Sequence, residues 1–353
     1  MSSPIETTDT LAAPAASSTP DTQSAPPTRV AWNRVAEYYA IAFGFACLLG
    51  LGLWLAGANL ISGSPTVVVQ LTLALFYMPL PIVAGLIVEK RAGRGYLLGL
   101  EKRTILRNIG RVTLISFAVS IGIYLANLGV TLLLGNVLGI EGVGRLVTSQ
   151  AQMLAAIAES MPAAATQANL AATPPVALLY TVGPFVGLIA GFTINGLFAF
   201  GEEYGWRGVL MDLLKPLGGV KANLLTGVMW GLWHAPAIVL GYNYGAAWGW
   251  GVLMMCLVMM PLSFILWRAR EFSRSVVAPA IIHGAFNGFA GFFLFLTLGR
   301  STLVAVPLGI AGVLALTLVA VVMWRVAKPA PALEPKINDA SALETTPPAT
   351  SQS

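Results

Sequence analysis

Charged side chains are scarce in this sequence. Only 10% of its 353 residues are Asp, Glu, Lys or Arg, whereas 56% are hydrophobic, and soluble domains carry about 25% charged residues. The deficit argues against an ordinary soluble protein and favours the bilayer as the solvent for most of the chain. The formal charge of +5 lies in short loops and forms no basic face interleaved with aromatic residues, so we expect no nucleic-acid partner.

Cysteine is almost absent. Cys47 and Cys256 are the two in the chain, and both lie in apolar segments, where a thiol behaves as a small hydrophobic group. Neither has a histidine nearby in the sequence, so we expect neither a disulfide framework nor a cysteine nucleophile. The apolar segments also lack a GxSxG motif and paired aspartates, which argues against a serine hydrolase or an aspartyl protease.

Two polar tails flank the apolar region. Residues 1–31 are rich in Ser, Thr, Pro and Ala and lack the basic start and apolar core of a signal peptide. Residues 328–353 have the same character. Neither tail buries enough apolar area to offset its chain entropy, so we predict two disordered tails around a transmembrane domain over 32–327.

Long apolar runs divide that domain. A helix needs roughly 20 mostly apolar residues to cross a hydrocarbon core about 30 Å thick. Such runs predict an all-α, polytopic membrane helix bundle of about eight helices, with spans near 37–57, 66–88, 112–140, 176–200, 222–241, 248–267, 276–299 and 302–324.

Lys and Arg predict the orientation of the bundle, because they are retained on the cytoplasmic side. The loop after the second span carries seven of them, so we expect both termini to be cytoplasmic, with only Arg145 and Arg300 of the twenty basic residues outside. The seven basic residues of the loop after the second span are Lys90, Arg91, Arg94, Lys102, Arg103, Arg107 and Arg111. The external loop near 141–175 is the longest, and it can serve either as a lid or as a simple linker.

Ionisable residues within the spans are few, and each needs a reason. The only two histidines, His234 and His283, lie in predicted spans, and Glu202, Glu203 and Arg207 follow an apolar stretch. Intramembrane ionisable groups are costly and mark functional sites. On a helix Glu203 and Arg207 pair at i and i+4, whereas Glu202 projects about 100° away and is freer to act as a general base. Since this motif follows a span that returns inward, we expect the site to open toward the cytoplasm.

Two further side chains suit the same chemistry. His283 and Asn287 stand at i and i+4 on one predicted helix, and an amide donor can stabilise a developing oxyanion. Trp230, four residues before His234, is placed to wall the same cavity. Singly, each residue has a structural explanation as a helix-to-helix hydrogen bond or a cap. Together they assemble the parts of a hydrolytic centre.

The three motifs resemble those of the CPBP family, the CAAX-protease and bacteriocin-processing group of intramembrane endopeptidases that includes the Ras-converting prenyl-protein endopeptidases. The resemblance covers about 176–299, with Trp230 where Phe is commoner. It implies supporting roles for Glu203, Arg207 and Trp230. The motifs are Glu-Glu-x-x-x-Arg, aromatic-x-x-x-His and His-x-x-x-Asn, at Glu202, Glu203 and Arg207, at Trp230 and His234, and at His283 and Asn287.

The resemblance also implies a mechanism. Glu202 with His234 would activate the attacking water, and His283 with Asn287 would stabilise the oxyanion. The substrate would be a membrane-associated peptide or protein, with prenylated CAAX processing as the family's best-known reaction.

A metal and two other functions stay open. The HExxH pair of many zinc proteases is absent, yet Glu202, His234 and His283 form a possible three-ligand zinc set. A metal-free glutamate mechanism is preferred, because the Asn287 amide serves the oxyanion without a Lewis acid. The rival functions are an ion- or proton-coupled transporter and a non-catalytic membrane chaperone or immunity protein.

Overall fold

The computed structural model of the protein describes residues 29–60, 67–93, 97–160 and 174–327. The predicted disordered tails lie outside this part, apart from residues 29–31. So do residues 161–173 of the predicted external loop.

The described chain is built of helices and one two-stranded ribbon. Short π-helical turns follow three of the helices, at Leu73–Tyr77, Leu132–Val137 and Tyr204–Leu210. The elements in chain order are α1 (Trp32–Leu55), α2 (Val67–Thr72), α3 (Leu80–Arg91), α4 (Leu97–Thr131), β1 (Val143–Leu146), α5 (Gln150–Ser160), α6 (Val176–Phe192), α7 (Ile194–Glu203), α8 (Met211–Leu214), α9 (Gly219–Trp233), α10 (Ala235–Val239), α11 (Trp248–Ser273), α12 (Val277–Leu296), β2 (Thr297–Arg300) and α13 (Ile310–Val326).

Several helices meet the length and composition of membrane spans. The pair α6 and α7, bent by 57°, adds a sixth candidate when it is counted as one span. The outer faces carry exposed large apolar side chains such as Leu48 and Phe76, as expected of surfaces that face lipid. These features confirm a multi-pass membrane protein built mainly of helices. Five single helices qualify in the described chain, at Trp32–Leu55, Val68–Arg91, Ile105–Val137, Gly245–Ser273 and Val277–Leu296.

Three of the eight predicted spans differ clearly from the observed helices. The predicted span 176–200 is divided at Thr193 by the bend between α6 and α7. The predicted span 222–241 is divided at His234 between α9 and the short α10. Pro236 lies directly after the break, and proline cannot donate a backbone hydrogen bond to the preceding turn. The predicted span 302–324 is shorter, because α13 begins only at Ile310 and has 17 residues.

One end of the bundle, the basic end, is tied by ion pairs. Arg91 at the end of α3 pairs with Glu37 of α1. Arg270 near the end of α11 donates to both carboxylate oxygens of Asp212, at 2.9 and 3.1 Å. These contacts join helix ends that lie beside the loops in which most of the Lys and Arg residues occur.

The other end, the ribbon end, is held by backbone and hydroxyl contacts. The antiparallel strands β1 and β2 place Val143 opposite Arg300, and the Tyr244 hydroxyl donates to the carbonyl of Leu308 at 2.9 Å. The ribbon is a strand element that the sequence analysis did not predict. It joins the chain after α4 to the end of α12.

Glycines let α12 approach the bend between α6 and α7. Thr193 has φ −126° and ψ −119°, which ends α6. A Cβ on Gly284 of α12 would lie 2.5 Å from the backbone nitrogen of Gly196, and one on Gly191 would lie 2.8 Å from the nitrogen of Ala285. Small residues allow such close helix contacts in membranes. The contact brings the first half of α12 against the end of α7.

Candidate active site

The two adjacent glutamates end α7 and are both buried, with relative exposures of 2% for Glu202 and 0% for Glu203. The next residues, Tyr204–Leu210, form a π-helical turn rather than a continued α-helix, a feature frequent at functional sites. Arg207 Nη1 still lies 3.0 Å from Glu203 Oε1. The ion pair expected from the i, i+4 spacing is therefore present.

Trp230 connects the two carboxyl groups indirectly. Its indole Nε1 donates to Glu202 Oε2 at 2.8 Å, and the Arg207 guanidinium lies 4.0 Å from the centroid of its ring. A cation over an aromatic face is attracted by the ring quadrupole. The side chain predicted to wall a cavity thus also holds Glu202 and covers Arg207.

His283 binds the second glutamate. Its Nδ1 lies 2.9 Å from Glu203 Oε1, and a carboxylate oxygen accepts, so Nδ1 carries the proton and Nε2 is left for other partners. The ring stands edge-on to Trp230, with centroids 5.1 Å apart. The sequence analysis paired Glu203 with Arg207 and did not predict its contact with His283, because a pair 80 positions apart leaves no local pattern.

His234 lies in the junction between α9 and α10. Its Nδ1 is 2.8 Å from the backbone carbonyl oxygen of Trp230. Since a carbonyl only accepts, Nδ1 is the donor, and Nε2 of the neutral ring keeps its lone pair. The second histidine therefore has a nitrogen able to take a proton.

The predicted reacting groups share one cavity of about 510 Å³. Asn287, one helical turn after His283, also borders a smaller cavity of about 270 Å³ against α2 and α7. Glu203 and Arg207 lie behind the wall and do not line the cavity. The predicted residues on its wall are Glu202, Trp230, His234, His283 and Asn287.

Tyr77 is a further polar residue on the wall. Its hydroxyl donates to the carbonyl of Trp233 at 2.5 Å, and the two rings lie 4.5 Å apart. Sequence reasoning missed it, since a single tyrosine in an apolar span has no spacing that marks it. The contact fixes the π-helical segment after α2 against the end of α9.

The three-ligand zinc set is not assembled in the described part of the chain, where no three His, Cys, Asp or Glu side chains are grouped to hold a metal ion. Each of the three candidate ligands also has a protein partner, an arrangement that metal ligands commonly have as well. Glu202 Oε2 accepts from Trp230, and the Nδ1 atoms of His234 and His283 bind a carbonyl and a carboxylate.

The segment that carries most of these side chains is similar to a known family. Residues 181–289 match the family described as Type II CAAX prenyl endopeptidase Rce1-like, and they include Glu202, Trp230, His234, His283 and Asn287 but not Tyr77. We call this part of the chain the Rce1-like segment. The Rce1-like segment contains α7, α9 and α11 and most of α12, and it ends before the ribbon strand β2.

A curated relative points the same way. The CAAX prenyl protease 2 of Methanococcus maripaludis is 29% identical over 126 residues. The match covers 30% of this chain and 46% of that protein. The chain therefore spans less than half the length of the relative it matches, and the resemblance to the CAAX-protease group is confirmed for the Rce1-like segment.

Proposed function

We propose that the protein is an intramembrane endopeptidase in which Glu202 and His234 activate a water molecule and His283 and Asn287 stabilise the oxyanion. The observation that carries the proposal is the common cavity. One carboxylate, two imidazoles and an amide from three separate helical segments line it, as a glutamate-type hydrolase requires.

The proposed reaction begins with water held between Glu202 and Nε2 of His234. Glu202 takes a proton as the water oxygen attacks the peptide carbonyl, and the new oxyanion accepts hydrogen bonds from Asn287 and from protonated Nε2 of His283. The Glu203 carboxylate, 2.9 Å from Nδ1, offsets the charge of that doubly protonated ring. The proton on Glu202 then passes to the leaving amine as the C–N bond breaks.

The reaction proposed here uses no metal. Support comes from the Asn287 amide on the cavity wall, which can serve the oxyanion without a Lewis acid. The hydrogen bond that Trp230 donates to Glu202 and the Nδ1 contacts of both histidines orient the reacting groups. Zinc held by Glu202, His234 and His283 is the alternative that chelation tests.

The proposed topology has eight crossings, with both termini in the cytoplasm of a cell membrane. The crossings beyond the six candidates are α9 with α10, and α13, both of which pack along α11. The basic end then faces the cytoplasm, because Lys and Arg are retained there. The proposed substrate class is a membrane-associated peptide, of which a prenylated CAAX-type C-terminus is one possible form.

The test compares membrane peptides from cells that produce the wild type, Glu202→Gln or Glu37→Gln. Loss of the general base is expected to lower cleavage by at least about 100-fold, so products of the wild type disappear with Glu202→Gln. Glu37 pairs with Arg91 at the basic end, and its variant is expected to keep those products. Equal products from all three chains would contradict the proposal and favour a chaperone-like role, and ion flux into proteoliposomes would favour a transporter.

A further inference from the structure

The helix α9 ends one residue before His234, and its last carbonyl group belongs to Trp233. In a continued α-helix that carbonyl would accept from the backbone N–H of Ala237, but this N–H instead donates to the carbonyl of His234 at 3.1 Å. Pro236, just before Ala237, has no N–H to offer the last turn. The carbonyls at the end of α9 therefore need donors from elsewhere.

Tyr77 supplies one of those donors. Its hydroxyl donates to the Trp233 carbonyl at 2.5 Å, and its side chain is buried, with a relative exposure of 3%. A buried carbonyl without a partner is costly, so this bond stabilises the point at which α9 stops. Tyr77 is the last residue of the π-helical turn after α2, and it lies outside the Rce1-like segment.

The peptide unit between Trp233 and His234 is held at both of its polar atoms. Its oxygen accepts from Tyr77, and its N–H donates to the carbonyl of Gly231 at 3.1 Å. A peptide unit is planar and rigid. These two contacts therefore fix the place of the His234 Cα at the junction between α9 and α10.

The direction of the His234 ring depends on the same helix end. Its Nδ1 donates to the Trp230 carbonyl at 2.8 Å, which leaves Nε2 for the cavity that the ring lines. The ring stands edge-on to the Trp233 indole, with centroids 4.9 Å apart, and the Trp233 Nε1 donates to the Ala42 carbonyl of α1 at 3.3 Å. A rotation of the end of α9 would move both restraints on the ring, and the Tyr77 hydroxyl opposes that rotation.

We infer that Tyr77 is a positioning residue, whose hydroxyl fixes the peptide unit of His234 and thereby directs Nε2 toward the water that Glu202 activates. The inference rests on the proposed function and adds to it a side chain from outside the Rce1-like segment. The Tyr77 ring also lines the cavity, and it remains in place when only the hydroxyl is removed. Loss of the hydroxyl should therefore slow the reaction without weakening substrate binding.

The chain has two histidines, which allows a direct test that needs no substrate. In protein labelled with ¹⁵N at histidine and purified in detergent, a ring nitrogen that carries a proton gives an NMR signal well separated from one with a lone pair. His234→Gln assigns the signals. The wild type is expected to show one tautomer of His234, with the proton on Nδ1, whereas Tyr77→Phe is expected to show a mixture of tautomers or broadened signals.

Tyr39→Phe is the matched control. The Tyr39 hydroxyl donates to the carbonyl of Met229, also in α9, at 3.0 Å, and Tyr39 does not line the cavity. Its loss is expected to leave the His234 signals unchanged. Identical His234 signals in Tyr77→Phe and the wild type, or equal changes in both phenylalanine variants, would overturn the inference.

Cleavage kinetics test the consequence for the reaction. The probe is a synthetic copy of a membrane peptide whose cleavage requires Glu202. Tyr77→Phe is expected to lower kcat by about 10- to 100-fold and to leave KM unchanged, because a displacement of about 1 Å at a reacting group can cost about 100-fold. A higher KM with an unchanged kcat would assign Tyr77 to substrate binding and contradict the inference.

A rescue variant separates positioning from folding. Replacement of Tyr77 by 4-aminophenylalanine keeps a donor in the same place and is expected to restore both the His234 signals and kcat. A folded rescue variant that behaves like Tyr77→Phe would refute the inference, and so would a Tyr77→Phe chain that does not fold, since the hydroxyl would then maintain the fold itself. If no membrane peptide depends on Glu202, the proposed function fails, while the histidine signals still decide whether Tyr77 positions His234.

Discussion

Glu203 Oε1 lies 2.9 Å from His283 Nδ1 and also accepts from Arg207 at 3.0 Å. A single buried oxygen therefore links the end of α7, the π-helical turn after it and α12. In a water-poor interior such a shared acceptor orients its donors and is costly to disrupt. Four predictions follow from this contact and its surroundings.

Glu203→Gln is expected to destabilise the protein strongly. It removes the negative charge beside Arg207, whose side chain is 0% exposed, and breaking a buried ion pair from one side costs about 3–5 kcal/mol. Thermal unfolding in detergent measures the loss. The matched control is Asp212→Asn at the basic end, where the carboxylate is 44% exposed and the expected cost is about 0–1 kcal/mol. Similar losses in the two variants would contradict the prediction.

Substitution of Trp230 separates its hydrogen bond from its ring. Trp230→Phe removes the hydrogen-bond donor to Glu202 but keeps an aromatic face for Arg207. A hydrogen bond to a charged group contributes about 1.5–3 kcal/mol, and we expect the activation free energy to rise by about that amount. We expect a turnover rate lower by about 10- to 100-fold.

Trp230→Ala removes both contacts and leaves a void between the histidines. We expect it to lose measurable activity and to unfold at a lower temperature than Trp230→Phe. Steady-state rates and unfolding midpoints of the two purified variants check the order. An equal loss in both would mean that the ring contributes nothing beyond its N–H.

Gly284→Ala is expected to displace α12. The added methyl group would lie 2.5 Å from the backbone nitrogen of Gly196, so the helix must shift at a cost of about 1–3 kcal/mol, and His283 moves with it. Gly122→Ala in α4 is the control, because nothing lies within 4 Å of its new Cβ and it does not line the cavity. Cleavage rate and unfolding temperature should fall for the first variant only. An unchanged cleavage rate for Gly284→Ala would contradict the prediction, because it would show that α12 accepts the methyl group without moving His283.

Metal removal is expected to leave cleavage unchanged. The purified protein is dialysed against a strong chelator, assayed, and assayed again after zinc is added back. A glutamate-type mechanism predicts equal rates before and after both steps. Loss on chelation with recovery on zinc would instead assign a metal to Glu202, His234 and His283, and the same treatment of a known zinc protease confirms that the chelator acts.

Local spacing predicted the contacts that lie within one turn of chain. The pairing of Glu203 with Arg207 follows from four-residue periodicity, and so does the common face of His283 and Asn287, which both line the cavity. The scarcity of polar groups in apolar segments pointed to Glu202, His234 and His283, which line one cavity. The multi-pass helical fold followed from composition alone.

Tertiary contacts were beyond such reasoning. Nothing in the spacing indicates that Trp230 donates to Glu202 or that His283 binds Glu203, since these pairs are 28 and 80 positions apart. The bend at Thr193, the break at His234 and the late start of α13 also changed three predicted spans, because hydropathy averages over residues that interrupt a helix. The eight crossings, the catalytic roles and the absence of a metal stay predictions.

The ribbon of β1 and β2 is held by main-chain hydrogen bonds, with Arg145 opposite Leu298 and Leu146 opposite Thr297. Such pairing depends little on which side chains the strands carry. Arg300 and the two residues after it can therefore be exchanged while the ribbon still anchors the end of α12 and, through that helix, His283. In the proposed endopeptidase, residues 300–302 of the cavity wall can then change which peptides bind while the alignment of the proposed reacting groups is kept.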